Sequence, residues 1–136
     1  MSLSRINHVL AAGAVLLGVL ALVLCCCSYE SESSRIRDLQ MPDVDLSRID
    51  DGTYVGQVEH HDNTYELAVT VAPHEVTRIE VLSCEGDDYD IEALVVLDRV
   101  ITEQTLSVDA VSGATKSSKL YLMAVYNALT GTELAF

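Results

Sequence analysis

The chain predicts an α+β fold: an antiparallel β-meander with helices packed on one face, preceded by a single N-terminal transmembrane helix. Three observations lead there. An uncharged apolar block runs from Val9 to Cys27. Between Asp51 and Ser83, apolar and polar residues alternate in runs separated by turn residues. Beyond Ile91 the apolar spacing lengthens to that of a helix. Period-two alternation marks half-buried strands and the longer period marks amphipathic helices. Strands followed by helices are the α+β pattern, and 136 residues allow one folded domain.

The first element follows a short leader, residues 1–8. The block VLAAGAVLLGVLALVLCCC over 9–27 matches the roughly 20 residues a helix needs to cross a bilayer, and its glycines are tolerated in such a helix. Arg5 before it raises a cleaved signal peptide as a competing reading. Signal cores are shorter, about 7–15 residues, and end in a small-x-small site; LVLCCCS is a poor one. Lipid attachment is a third reading, because Leu24 lies three before Cys27. A retained anchor is favoured. Small apolar residues at the membrane edge are the plain reading of Cys25, Cys26 and Cys27, and acylation is the functional one. Arg5 on one side nearly balances Arg35 and Arg37 on the other. An uncleaved anchor with a short leader leaves its tail inside, which places the bulk of the chain on the extracytoplasmic side.

Residues 28–50, rich in serine and charge, read as a polar tether with a helical turn at DLSRI (Asp45 to Ile49). The folded domain is expected over 51–136. DGTYVGQVEHH (Asp51 to His61) reads as a turn and a strand, and HDN (His61 to Asn63) as a hairpin. In TYELAVTVA, Tyr65, Leu67, Val69 and Val71 face one way and Glu66, Ala68 and Thr70 the other. PHE (Pro73 to Glu75) turns the chain into a third strand, Val76 to Ser83. EGDDYD reads as an acidic loop, and IEALVVLDRVITEQ as one helix with Ile91, Leu94, Val95, Leu97 and Ile101 on its apolar face. KSSKLYLMAVYNALTG has serines before an apolar run and Gly131 just past it, as helix boundaries do. Apolar on most sides, that helix should be buried against the sheet.

The net charge is −13. All the acidic residues, and every basic residue but Arg5, lie beyond the anchor. Such a surface argues against binding nucleic acid or anionic lipid through a basic patch. Adjacent cysteines cannot supply the spaced ligand pairs of a zinc site, and Cys84, the one thiol of the folded part, reads as a buried apolar residue at a strand end. His60, His61 and His74 fall at turns, without the further ligands a metal needs. EGDDYDIE lacks the spacing of an EF-hand loop. No metal site and no catalytic triad is expected.

One stretch remains, VDAVSGATKSSK (Val108 to Lys119). Its glycine and small residues precede a helix, where free N–H groups and the helix dipole favour an anion, above all a phosphate. The Walker pattern is missing. Taken alone, such a stretch is more often a structural cap than a ligand site, and Thr115 itself could be an N-cap.

The surrounding sequence narrows the choice. DGTYVGQ, RIEVLS and IEALVVLDRVITEQTLSVDAVSGATKSSKLYLMAVYNAL together resemble the FMN-binding domain family. That family includes the membrane-anchored flavin subunits of sodium-pumping NADH:quinone oxidoreductase and Rnf-type complexes. DAVSGAT (Asp109 to Thr115) fits its D-x-x-[ST]-G-A-[ST] flavinylation motif. The resemblance implies FMN held covalently: a flavin transferase takes FMN from FAD and joins it, through its phosphate, to the last hydroxyl of the motif, here Thr115. It makes Asp109 a recognition residue for the transferase, Ser112 a motif hydroxyl, and Gly113 and Ala114 slim residues that admit that enzyme. The phosphate would sit by the start of the last helix, near Lys116 and Ser117. The implied role is an electron carrier or subunit rather than a self-sufficient enzyme, with redox proteins or a quinone as donor and acceptor. A module that binds FMN or another phosphate-bearing ligand reversibly is the alternative, and a structural lipoprotein without cofactor is a third reading. CEGDDYD replaces a longer glycine- and histidine-containing segment of many members, which leaves Tyr54 as the candidate contact to the isoalloxazine ring.

Overall fold

The structure is a computed structural model that describes residues 33–61, 63–84 and 88–134. The leader, the expected anchor over 9–27 and the cysteine trio lie outside the described residues. No helix among the described residues is long and apolar enough to cross a membrane. The chain divides into two compact units, Met1–Arg35 and Ile36–Phe136. The second unit carries the sheet and the helices packed on it.

That unit starts earlier than the alternation alone predicts. Residues 36–50 fall in the stretch read as tether, yet they form a strap on the domain. Ile36 and Met41 are buried, and Leu39, Val44, Leu46 and Ile49 pack against the same core. These apolar residues follow no helical or strand period, so only their tertiary neighbours reveal them as core. The expected turn is there as a 3-10 helix, Leu46–Arg48, with the Asp45 side chain accepting from the N–H of Ser47.

Asp43 fastens the strap. Its Oδ1 accepts from the Thr105 hydroxyl at 3.0 Å and from the N–H groups of Leu106 at 3.3 Å and Val44 at 3.0 Å. The slight burial of the carboxyl works against its charge, but these hydrogen bonds outweigh it and hold its pKa below the usual aspartate value. A lowered pKa in the folded state stabilises the fold above the unfolded-state pKa, and the gain disappears as pH falls through the folded value. Acid denaturation of wild type should therefore include a small step, below about 1 kcal/mol for so exposed a group, that Asp43→Asn lacks. Paired urea titrations at pH 3 to 6 measure it.

The meander consists of β1 (Gly52–His60), β2 (Asn63–Val71) and β3 (Val76–Cys84), antiparallel in the order β1-β2-β3. Alternation sets which side faces in. Gly56, Val58 and His60 on β1, and Tyr65, Leu67, Val69 and Val71 on β2, are buried. Thr53, Val55, Gln57 and Glu59 are exposed on the other side of β1. Ala68, on the outer side of β2, is also buried between its cross-strand partners Val55 and Glu80.

Two helices replace the single helix expected over 91–104: α1 (Asp88–Ala93) and α2 (Val95–Glu103). The chain tightens at Leu94, which donates to Ile91 O at 3.2 Å and accepts from Leu97 N at 3.0 Å. These three-residue spacings are those of a 3-10 turn. The inward face is Ala93, Val96, Leu97 and Val100, whereas Ile91 and Val95 are exposed. Part of the expected acidic loop, from Asp88, already belongs to α1. The last helix, α3 (Thr115–Thr130), ends at Gly131 with φ +65°, the left-handed cap that glycine adopts without strain. It touches β1, β2, α1 and α2, so it is buried on nearly every side.

Two further contacts hold the layers in place. Gln104 ends α2 at φ +55°, and its side-chain amide accepts from Val76 N at 2.8 Å and donates to Val76 O at 2.9 Å. One side chain thus clamps the first residue of β3. Gln104→Ala leaves both backbone groups of the buried Val76 without that partner, at a cost of about 1–3 kcal/mol. Gln104→Gly makes the same deletion but relieves the left-handed backbone, so it should lose about 1 kcal/mol less. Chemical denaturation of the two variants checks the order. On the other edge, Asn127 donates to Gln57 O at 2.9 Å and accepts from Leu134 N at 2.9 Å, joining α3, β1 and the C-terminal segment.

Candidate functional site

The motif loop leaves α2 through Gln104 and enters α3 at Thr115. Leu106 and Val108 are buried and carry the chain across the core with Ser107 and Asp109 exposed between and beyond them. The Arg99 guanidinium, one turn before the end of α2, donates to the carbonyl of Asp109. That contact fixes the backbone of Asp109 and leaves its side chain on the surface.

A tight turn follows. Ala114 N–H donates to Val111 O at 3.0 Å, with Ser112 and Gly113 exposed at the tip. Gly113 has φ +88°, and a Cβ added there would meet nothing within 4 Å. Its conformation, not lack of room, therefore calls for glycine, as the third position of a type II turn does. Ala114 is buried, so its small size is set by packing. The buried Ser118 reaches back from α3, its Oγ accepting from Val111 N–H at 3.1 Å. The loop is thus braced from both sides, by Arg99 before it and Ser118 after it.

Thr115 is the first residue of α3 and half-buried. The N-cap position belongs to Ala114, which offers no side-chain cap. The first N–H groups of a helix have no partner within it; here no capping side chain covers them, and the helix dipole adds positive potential. A hydroxyl, uncapped N–H groups and an exposed glycine turn therefore stand together. That arrangement suits a phosphate in contact with, or esterified to, Thr115. Lys116 is half-buried beside it, and the side chain of Ser117 is turned inward, so Ser117 offers the site its backbone rather than its hydroxyl.

A polar cleft of about 170 Å³ adjoins the loop, lined by Gln40 and Met41 of the strap, by residues 106–110, and by Lys119. Lys119, Arg99 and Ser118 were not singled out in the sequence, where nothing in residue type or spacing separates them from solvated helix positions. Tyr54 donates its hydroxyl to Asp50 O at 2.8 Å, near the start of β1. Cys84 closes β3 half-buried, its Sγ 2.8 Å from the Tyr121 hydroxyl, and the Tyr121 ring meets Tyr65 edge-on at 5.4 Å. Among the described residues no group of histidine, cysteine or acidic side chains could hold a metal ion.

No curated protein matches the chain. The model of the FMN-binding domain family matches residues 58–130, more than half of the chain, from the last residues of β1 to the end of α3. The match takes in the whole braced loop, and the uncapped start of α3 is fit to receive the phosphate of that cofactor. The chain belongs to the FMN-binding domain family, a flavoprotein with FMN as its cofactor.

Proposed function

We propose that the protein is a membrane-anchored, extracytoplasmic electron carrier with FMN joined by a phosphoester to Thr115. The observation that carries this reading is the position of Thr115: a half-buried hydroxyl at the uncapped start of α3, directly after an exposed turn that a second enzyme can approach. The Thr115 oxygen forms one bond to the FMN phosphorus of FAD while the diphosphate bond breaks, AMP leaves, and the hydroxyl proton passes to the transferase. A phosphoester needs only a hydroxyl from the protein, in keeping with a loop that has no thiol or imidazole. Once bound, FMN supplies the redox chemistry; the chain supplies placement and electrostatics.

Residues 9–27 supply the anchor in this reading, and covalent attachment suits a compartment where a dissociated flavin would be lost. The acidic surface selects the redox partner by charge. The experiment is in-gel flavin fluorescence after denaturation of protein from cells that contain a flavin transferase. A fluorescent band in wild type that vanishes in Thr115→Ala is the expected result. A band unchanged in Thr115→Ala overturns the attachment site. A yellow protein that loses its colour on denaturation indicates reversible binding instead.

A further inference from the structure

Lysine occurs only twice in this chain, at Lys116 and Lys119, and both fall in the opening turns of α3. In a protein of net charge −13 that placement runs against local electrostatics, because the N-terminus of a helix carries the positive end of its dipole and disfavours cations. An anion between the lysines and the helix end removes the conflict. Arg99 brings a third cation to the same loop through its contact with Asp109.

The lysines are not equivalent. Lys119 lies four residues after Thr115, on the same helical face and with Cβ atoms about 5–6 Å apart. Long side chains on a helix lean toward its N-terminus, over the residues three and four before them, which directs Lys119 toward Thr115. Lys116, the next residue after Thr115, is turned by about 100° around the helix. Lys119 also lines the polar cleft between the strap and residues 106–110. Among the described residues it makes no ion pair, although Asp109 shares that cleft.

We propose that Lys119 is a positioning residue for the flavin: its ammonium holds the phosphate carried by Thr115 and seats the adjoining ribityl chain in the cleft. This rests on the attachment reading above. Size limits what the cleft takes. Its volume of about 170 Å³ is below the roughly 300–1,000 Å³ of pockets that enclose a whole small molecule. The linking chain enters and the ring stays outside, where a redox partner can reach it. The strap, through Gln40 and Met41, is thus one wall of the flavin seat.

The test uses the full chain in detergent, made with a flavin transferase as wild type, K119Q, K119R, K116Q and R78Q. In-gel fluorescence comes first: a wild type without covalent flavin overturns the attachment reading, and this proposal with it. With flavin attached, acrylamide, an uncharged quencher, reports how freely the flavin leaves its seat. K119Q should raise the quenching constant about threefold, the scale of a partly exposed charge pair. K119R should stay close to wild type, K116Q should show the smaller effect of the two lysine variants, and R78Q none. Raising the salt should bring wild type toward K119Q, because screening weakens the pair. The melting temperature of unflavinylated K119Q should equal that of wild type, which separates positioning from a structural role. Wild-type quenching in K119Q, an equal or larger effect in K116Q, or no response to salt overturns the proposal.

Discussion

Gly56→Ala is expected to lower the melting temperature of the domain by roughly 12–24 °C, about 3 kcal/mol at the 4–8 °C per kcal/mol of a small domain. A Cβ at this position would lie 2.2 Å from Ala124 O, 2.4 Å from Ala128 N and 2.8 Å from Ala128 Cα. All three are backbone atoms in the C-terminal half of α3, so no side-chain rotation relieves the clash. Either α3 lifts from β1 or the strand bends away, and both loosen the main interface of the fold. Asn127, which joins α3 to Gln57 next door, would be strained by the same movement. Gly56→Val should yield no folded domain, given total stabilities of about 5–15 kcal/mol. Val55→Ala, at a side chain 57% exposed on the outer side of β1, is the control and should stay within about 0.5 kcal/mol of wild type. Thermal melts followed by circular dichroism decide the matter. A Gly56→Ala protein that melts within a few degrees of wild type would mean that α3 need not approach β1 so closely.

The second large effect concerns Thr115. Thr115→Ala should lose all covalent flavin and keep its fold, whereas Thr115→Ser should keep both. The structure supplies the reason for expecting no loss of stability. Ala114, not Thr115, occupies the N-cap position, and no side-chain cap is present to lose. A half-buried residue in the first turn without such a role should change stability by no more than about 0.5 kcal/mol. Serine presents the same nucleophilic oxygen at the same backbone position, and the motif accepts either hydroxyl. In-gel fluorescence, read beside a melting curve for each variant, separates chemistry from folding. Weak flavin in Thr115→Ser with an unchanged melt would show that the threonine methyl helps orient the hydroxyl.

Much of this was legible in the residue order. The strand boundaries follow from alternation and turn residues, and β2 shows its buried face directly in Tyr65, Leu67, Val69 and Val71. The end of α3 was legible in Gly131. The loop from Asp109 to Thr115 stood out because its motif is local: seven consecutive residues that include the turn glycine Gly113 and the hydroxyl of Thr115. What escaped has a common character. The strap from Ile36 has no period, because its apolar residues fill gaps between other elements instead of lining one face. The break at Leu94 escaped because IEALVVLDRVITEQ satisfies a helical pattern equally well with or without a 3-10 turn. The inward face then fell on Val96 and Val100 in place of Ile91 and Val95.

The sequence by itself determined the class of fold and the order of its elements, and it marked the loop proposed to carry the flavin, because each depends on residues near one another in the chain. Only the tertiary structure decided why Gly56 is a glycine, why Gln104 precedes the motif, and what walls the cleft beside Lys119. Gly56 answers to a helix backbone about 70 residues away, Gln104 to the first residue of β3, and the cleft beside Lys119 to a strap that reads as tether. Close packing makes such distant neighbours decisive, and no window along the chain contains both partners.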